Sequence, residues 1–277
     1  MTIKEINETL EQGESLKQVA QAYSDIANLK IKRIRARVEQ NRLFFQEVSK
    51  VYALIKQLAA AKKLNTIKPK KRVCIVLTSN HRFYGVINSD LLEFFVASTE
   101  KLDTDIICLG KTSIDYFKAH HTFKNYAGLT LNDDQPTAAE LTALINILKE
   151  YSQVLVFYSS LKSLLIQQPT ISDITASSQI IEGDKNTNFK FIFEPELSKI
   201  LEFFDSQILT SLLEGTFLES ELSRTASRFI SMDSAETEAN KFIKEYQKLK
   251  AIARRNTDNN TILENFATMM AARRIAI

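Results

Sequence analysis

Residues 222–253 read LSRTASRFISMDSAETEANKFIKEYQKLKAIA. Apolar side chains recur there at three- and four-residue steps: Leu222, Ala226 and Phe229, then Ala235, Ala239, Phe242, Tyr246, Leu249 and Ala253. Glu, Lys, Arg, Ser and Thr fill the intervals. This period marks one face of an α-helix carrying a narrow apolar stripe. The surrounding stretch 197–277 holds no proline, and its one glycine, Gly215, lies near the start. Unbroken, such a helix is on the order of 100 Å long. Its stripe needs a partner helix or a sleeve of other subunits.

A second helical pattern occupies residues 3 to about 62. Leu16, Val19, Tyr23 and Ile26 step by three and four. Ile31, Ile34 and Val38 resume the step after a slip, and Phe45, Val48, Tyr52 and Ile55 continue it. The pattern predicts a heptad-like seam with a stutter near Asn28. Gly13, followed by Ser15, is expected to weaken the first turns, leaving 3–12 as a separate short helix. Pro69 ends the pattern, because the residue before a proline avoids helical geometry.

Between these helices the period changes. Residues 72–78, 105–109, 126–131 and 153–158 read as strands, rich in β-branched and apolar residues. Residues 89–102, 114–118 and 137–151 read as helices, the last opening after Pro136. Alternation of this kind predicts a small Rossmann-like α/β domain with a mainly parallel sheet. Residues 160–188 are polar and poorly patterned, 189–193 form a last strand candidate, and Glu194-Pro195-Glu196 opens the final helix. The expected organisation is an N-terminal coiled-coil helix over 1–68, an α/β domain over 69–196 and a C-terminal coiled-coil helix over 197–277. The terminal helices are expected to pair as a long antiparallel coiled coil.

Composition fits that layout. The chain has 277 residues, 44% of them hydrophobic, but only 6 glycines and 4 prolines, so few turns are encoded. The net charge of +3 is too small to argue for nucleic acid. Basic residues cluster between 30 and 71, with Lys30, Lys32, Arg33, Arg35 and Arg37 close together. They read as a solvated helix face or as a partner-binding surface. Cys74 and Cys108 lie in apolar runs and read as buried reduced thiols, too few for a disulfide framework or a zinc site. The start of the chain lacks the apolar core of a signal peptide, and no apolar run approaches 18 residues, so the protein reads as soluble and cytosol-facing.

No constellation of residues carries catalysis. His81, His120 and His121 lack the spacing of a metal site and read as surface residues. The turn after the first strand, Ser-Asn-His-Arg-Phe-Tyr-Gly over 79–85, holds one glycine where a phosphate cradle needs several. No P-loop is present. Asp133-Asp134 reads as a solvated turn with capping character. No cofactor is expected.

Three stretches resemble the gamma subunit of F-type ATP synthase. Residues 72–91 resemble the family's first strand and turn, with Thr78-Ser79, Gly85 and Asn88-Ser89 in place. Phe193-Glu194-Pro195 resembles its aromatic-Glu-Pro step into the last helix. Residues 218–239 resemble its C-terminal signature, with Glu219, Ser220, Ser223, Arg228, Met232, Ala235 and Ala239 at matching spacing, and Ala253-Arg254 following. Departures mark a divergent member or a paralogue of such a motor. The family's glycine-rich turn is here Arg82-Phe83-Tyr84-Gly85-Val86, and Arg255 replaces the usual glutamine. The Ile-Thr-x-Glu-Ile step is reduced to Asp258-Asn259-Asn260-Thr261-Ile262. Residues 256–260 are poor helix formers, and Thr261 with Glu264 is suited to capping a new helix.

The resemblance implies a non-catalytic rotor shaft inside a ring of alpha and beta subunits, which hold the nucleotide sites. It further implies contact with an epsilon subunit and a c-ring, and a peripheral location on the cytoplasmic face of the cell membrane. Under this reading Lys30, Arg33, Arg35, Arg37, Arg228, Arg254 and Glu194 are the partner-binding residues. The basic run faces acidic loops of the ring. Arg254 either contacts a beta-subunit loop or is a solvated helix charge. Other readings are the shaft of a related motor without a proton channel, and a coiled-coil scaffold that needs no ATPase ring.

Overall fold

The computed structural model describes residues 2–61, 71–120, 125–175 and 196–275. The chain divides into two compact units, 1–26 with 229–277 and 27–228. Helix α1 (Ile3–Ala61) and helix α5 (Leu197–Ile275) each contribute to both.

In the first unit, Ile6 and Leu10 of α1 pack with Ile243, Tyr246 and Ala253 of α5. Gly13 does not break α1, which runs unbroken from Ile3. Its missing side chain lets α5 come close: a Cβ there would stand 3.2 Å from the Phe242 ring. The expected seam is displaced over its first part, while Ile31, Ile34, Tyr52 and Ile55 are buried as expected. Leu16, Val19 and Ile26 are 59, 53 and 57% exposed. The buried positions of α1 as far as residue 34 are instead Ile6, Leu10, Gly13, Ala20, Ser24, Ala27, Ile31 and Ile34. They keep three- and four-residue steps as far as Ala20 with one turn skipped, then pass Asn28 without a stutter. Small residues form much of this seam because close helix approach selects them, and the larger side chains flank it. Over residues 16–26 apolar size alone therefore points to the wrong face.

In the second unit, Lys30 meets Glu221, Arg37 meets Glu214, the Tyr52 hydroxyl donates to Asp205, and Ile55 clusters with Leu197. Rising numbers on α1 meet falling numbers on α5, so the pair is antiparallel.

The same unit holds a five-stranded sheet of β1 (Arg72–Leu77), β2 (Asp105–Leu109), β3 (Ala127–Leu129), β4 (Gln153–Ser163) and β5 (Ile166–Asp173), in the order β3-β2-β1-β4-β5. The first four strands are parallel, and β5 returns antiparallel to β4. The hairpin corrects the unpatterned reading of 160–188 over its described part. As an edge strand, half-exposed β5 tolerates the Gln-Gln-Pro-Thr sequence that hid it. The strand candidate at 189–193, the linker with Pro69, His121 and Glu194 lie outside the described residues.

Side chains alternate across β1. Val73, Ile75 and Leu77 join Leu144, Ile145 and Leu148 of α4 (Ala138–Leu148), with Leu209, Leu213 and Phe217 of α5. Cys74 and Val76 face α2 (Ile87–Thr99) and α3 (Lys111–His120), among Leu91, Phe95 and Phe117. The α5 helix is thus one wall of the sheet's core. Thr137 and Glu140 form a reciprocal capping box at the start of α4. Both cysteines are buried and free, and burial pushes the Cys108 thiol up to about 12.

Candidate functional site

In an open α/β sheet, ligands settle beyond the carboxyl ends of the strands where strand order reverses. Here that point lies between β1 and β4, flanked on the β2 side by bonds from Thr78 and on the β4 side by one from Tyr158. Thr78 Oγ1 donates to the Leu109 carbonyl at 3.0 Å and accepts from the Ser113 amide at 3.0 Å. Gly110, at φ +101°, lies so close that a Cβ would stand 2.4 Å from the Thr78 carbonyl oxygen. On the β4 side, Tyr158 donates its hydroxyl to Glu219 of α5 at 2.9 Å. Among the described residues no group of three or more His, Cys, Asp or Glu is arranged to hold a metal ion.

The polar chemistry is concentrated instead on α5. Ser220, Glu221, Ser223, Arg224, Thr225 and Ser227 are all buried. Lys30 Nζ lies 2.6 Å from Oε1 of Glu221, whose side chain is only 2% exposed. Gln135 donates to the other oxygen of Glu221 and accepts from Arg37. Arg37 also pairs with Glu214 at 3.6 Å.

Asp134, next in the chain to Gln135, is the second anchor. It is buried, not the solvated turn residue the sequence suggests. The Tyr84 hydroxyl and, at 2.8 Å, the Asn80 amide donate to its carboxylate. Arg224 donates to its backbone oxygen at 3.4 Å. Burial alone would raise its carboxyl, but the Arg224 charge, the Tyr84 hydroxyl and the Asn80 amide outweigh that and hold it below the usual carboxylate range. The same burial and the Asp134 charge push the Tyr84 hydroxyl far upward. Asp133 stays exposed beside His81 at 3.2 Å.

Arg228 lies 3.9 Å over the Tyr84 ring and donates to the Arg82 carbonyl at 3.1 Å. Ser227 donates to the Tyr84 carbonyl at 2.7 Å. These bonds flank Phe83, which is exposed and holds φ at 67°, a left-handed value that costs a bulky residue roughly 1–2 kcal/mol.

The basic residues read from the sequence therefore separate. Lys30 and Arg228 turn their charges onto their own unit, and Arg37, itself exposed, pairs there with Glu214 and Gln135. Arg33 and Arg35 are exposed and form no ion pair among the described residues. Arg254 is exposed in the other unit. The Asp134–Arg224–Tyr84 group was missed in the sequence. Its one visible signal was an arginine, Arg224, within a run of Ser, Thr and Ala.

A third feature lies at the end of α5. Residues 256–260 do not break the helix, which continues to Ile275. Thr257 and Thr261 donate back to the Ala253 and Thr257 carbonyls, each at 3.0 Å, so Thr261 starts no new helix. Every residue from 254 to 270 is exposed, including Ile262, Leu263, Phe266, Met269 and Met270. These five share one helical face.

A family model described as ATP synthase matches residues 2–276. The chain is 24% identical over 262 residues to the ATP synthase gamma chain of Staphylococcus saprophyticus, covering 87% of this chain and 89% of that one. It is 23% identical over 257 residues to the ATP synthase gamma chain of Staphylococcus epidermidis, with the same coverage of both. Among solved structures, a chain of the Euglena gracilis mitochondrial ATP synthase rotor superposes with a TM-score of 0.62 at 12% identity, over 92% of this chain and 98% of that one. A chain of the Tetrahymena thermophila mitochondrial ATP synthase central stalk and c-ring gives 0.59 at 18% identity, over 78% and 99%.

Proposed function

The chain belongs to the ATP synthase family, and we propose that it is the gamma-type central shaft of a rotary F-type ATP synthase or ATPase. In this role its rotation presents a different face to each nucleotide site of a surrounding ring of alpha and beta subunits, and it holds no catalytic site of its own. The supporting observation is the end of α5. Beyond Ala253, its last residue packed with Ile6 and Leu10, the helix continues to Ile275; its residues 254–270 are all exposed, with a bare apolar face from Ile262 to Met270. A lone helix in water does not retain such a face without a sleeve to receive it.

Arg33 and Arg35 are the exposed charges proposed to meet acidic loops of the ring, and Arg254 is proposed to meet a beta-subunit loop. Lys30, Arg37 and Arg228 serve contacts within the chain itself. No helix among the described residues is long and apolar enough to cross a membrane. Membrane association is therefore proposed to come through the complex, by way of an epsilon subunit and a c-ring. Affinity purification of the tagged chain from its native cell tests the reading. Recovery in a complex with a hexameric nucleotide-binding ring is expected. Recovery of the chain alone, with ring subunits present in the lysate, would contradict it.

A further inference from the structure

Asp134 and Gln135 are neighbours in the turn before α4, yet they serve two different polar groups. Gln135 bridges Arg37 of α1 and Glu221 of α5. Asp134 accepts from Arg224 of α5 at its backbone oxygen, while its carboxylate faces the Arg224 charge and accepts from Tyr84 and Asn80 in the turn after β1. Asn80 closes the set by donating to the Leu131 carbonyl at 2.8 Å and accepting from the Lys111 amide at 2.9 Å. One dipeptide thus ties both long helices to the carboxyl edge of the sheet. The apolar core beneath constrains orientation through shape alone, because the hydrophobic driving force is non-directional. Hydrogen bonds to charged groups fix an angle as well as a distance.

We infer that Asp134 and Gln135 are positioning residues that fix the azimuth of the α/β layer on the helix pair, so that torque passes between them without slip. The inference rests on the rotor reading and adds a mechanical task to residues that touch no nucleotide. The clamp lies among buried groups that it leaves unsatisfied, including Ser220 Oγ, Ser223 Oγ, Thr225 Oγ1 and Arg224 Nε. Glu219, Ser227 and Arg228 of α5 also bond the sheet domain, and Gln135 extends the tie to Arg37 of α1.

The test uses the chain assembled with its ring. A bead is attached through Lys118→Cys on the exposed side of α3, where buried Cys74 and Cys108 do not compete for the label. Angular variance of the bead is recorded while the ring is stalled. Gln135→Ala and Asp134→Asn are expected to raise that variance at least twofold, with unloaded ATP turnover unchanged. Gln153→Ala, which breaks only a 2.9 Å bond to Asp173 at the sheet edge, is expected to leave it unchanged. Parental variance in Gln135→Ala overturns the inference, even if Asp134→Asn fails to assemble. Equal increases in all three variants also overturn it, since they mean general loosening. If the parent chain assembles with no ring, the rotor reading fails. Amide exchange in the isolated full chain then decides the clamp: residues 30–37 in Gln135→Ala and residues 80–86 in Asp134→Asn exchange at least threefold faster if it exists, and at the parental rate if it does not.

Discussion

Lys30 Nζ stands 2.6 Å from the buried Oε1 of Glu221, so the first charge of the basic run neutralises the chain's own carboxylate. Removing one partner of such a pair leaves a charge in the interior. Lys30→Met should therefore lower the unfolding free energy by roughly 3 kcal/mol. The double variant Lys30→Met with Glu221→Leu should regain most of it, because the stranded charge is gone. Urea denaturation of the full chain measures both. Equal stability of the single and double variants would contradict the assignment.

Asp134 predicts a specific acid limb. Its folded carboxyl lies below the ordinary range of about 3.9, so its stabilisation is complete above the unfolded value and is lost as pH falls through the folded one. The difference in thermal midpoint between parent and Asp134→Asn should be constant from pH 7 to about 5 and shrink below about 4. A difference that grows on acidification would mean that the carboxyl is raised.

Gly13 tests the displaced seam. A methyl group there would sit 3.2 Å from the Phe242 ring, while alanine gains about 1 kcal/mol of helix propensity, so Gly13→Ala should be near neutral. Gly13→Val should cost roughly 1–3 kcal/mol through overpacking. Helical circular dichroism on heating reads both. A neutral valine would place Gly13 off the seam.

Most of the architecture was legible in the sequence. Two long proline-free periodic stretches and β-branched runs separated by helical patterns determine helices, strands and their order. What escaped was set by the size and partners of side chains. Leu16, Val19 and Ile26 look like a seam, but Ala20, Ser24 and Ala27 form it, because helices that approach closely exclude large residues. Strand β5 escaped because an edge strand need not be apolar. Asp134 looked like any aspartate in a turn, since its partners Tyr84 and Arg224 lie 50 and 90 positions away. Pairings across such separations leave no periodic trace.

Arg33 and Arg35 should act on assembly alone. Both are exposed and unpaired among the described residues, so Arg33→Glu with Arg35→Glu should change the chain's own stability by less than about 0.5 kcal/mol. The same change should weaken ring binding, more so at low salt. Arg37→Glu should also destabilise the isolated chain, because it meets Glu214. Titration against purified ring at two ionic strengths, beside thermal unfolding, separates the two classes. Unaltered ring binding by the double variant would remove both residues from the interface.

The central claim is that this chain turns within a nucleotide-driven ring, and single-molecule rotation addresses it most directly. The ring is fixed to glass, a bead is attached through Lys118→Cys, and ATP is added. The account predicts unidirectional rotation in three steps per turn that stops when ATP is withdrawn. A stably assembled complex that hydrolyses ATP while the bead shows only Brownian motion would contradict it.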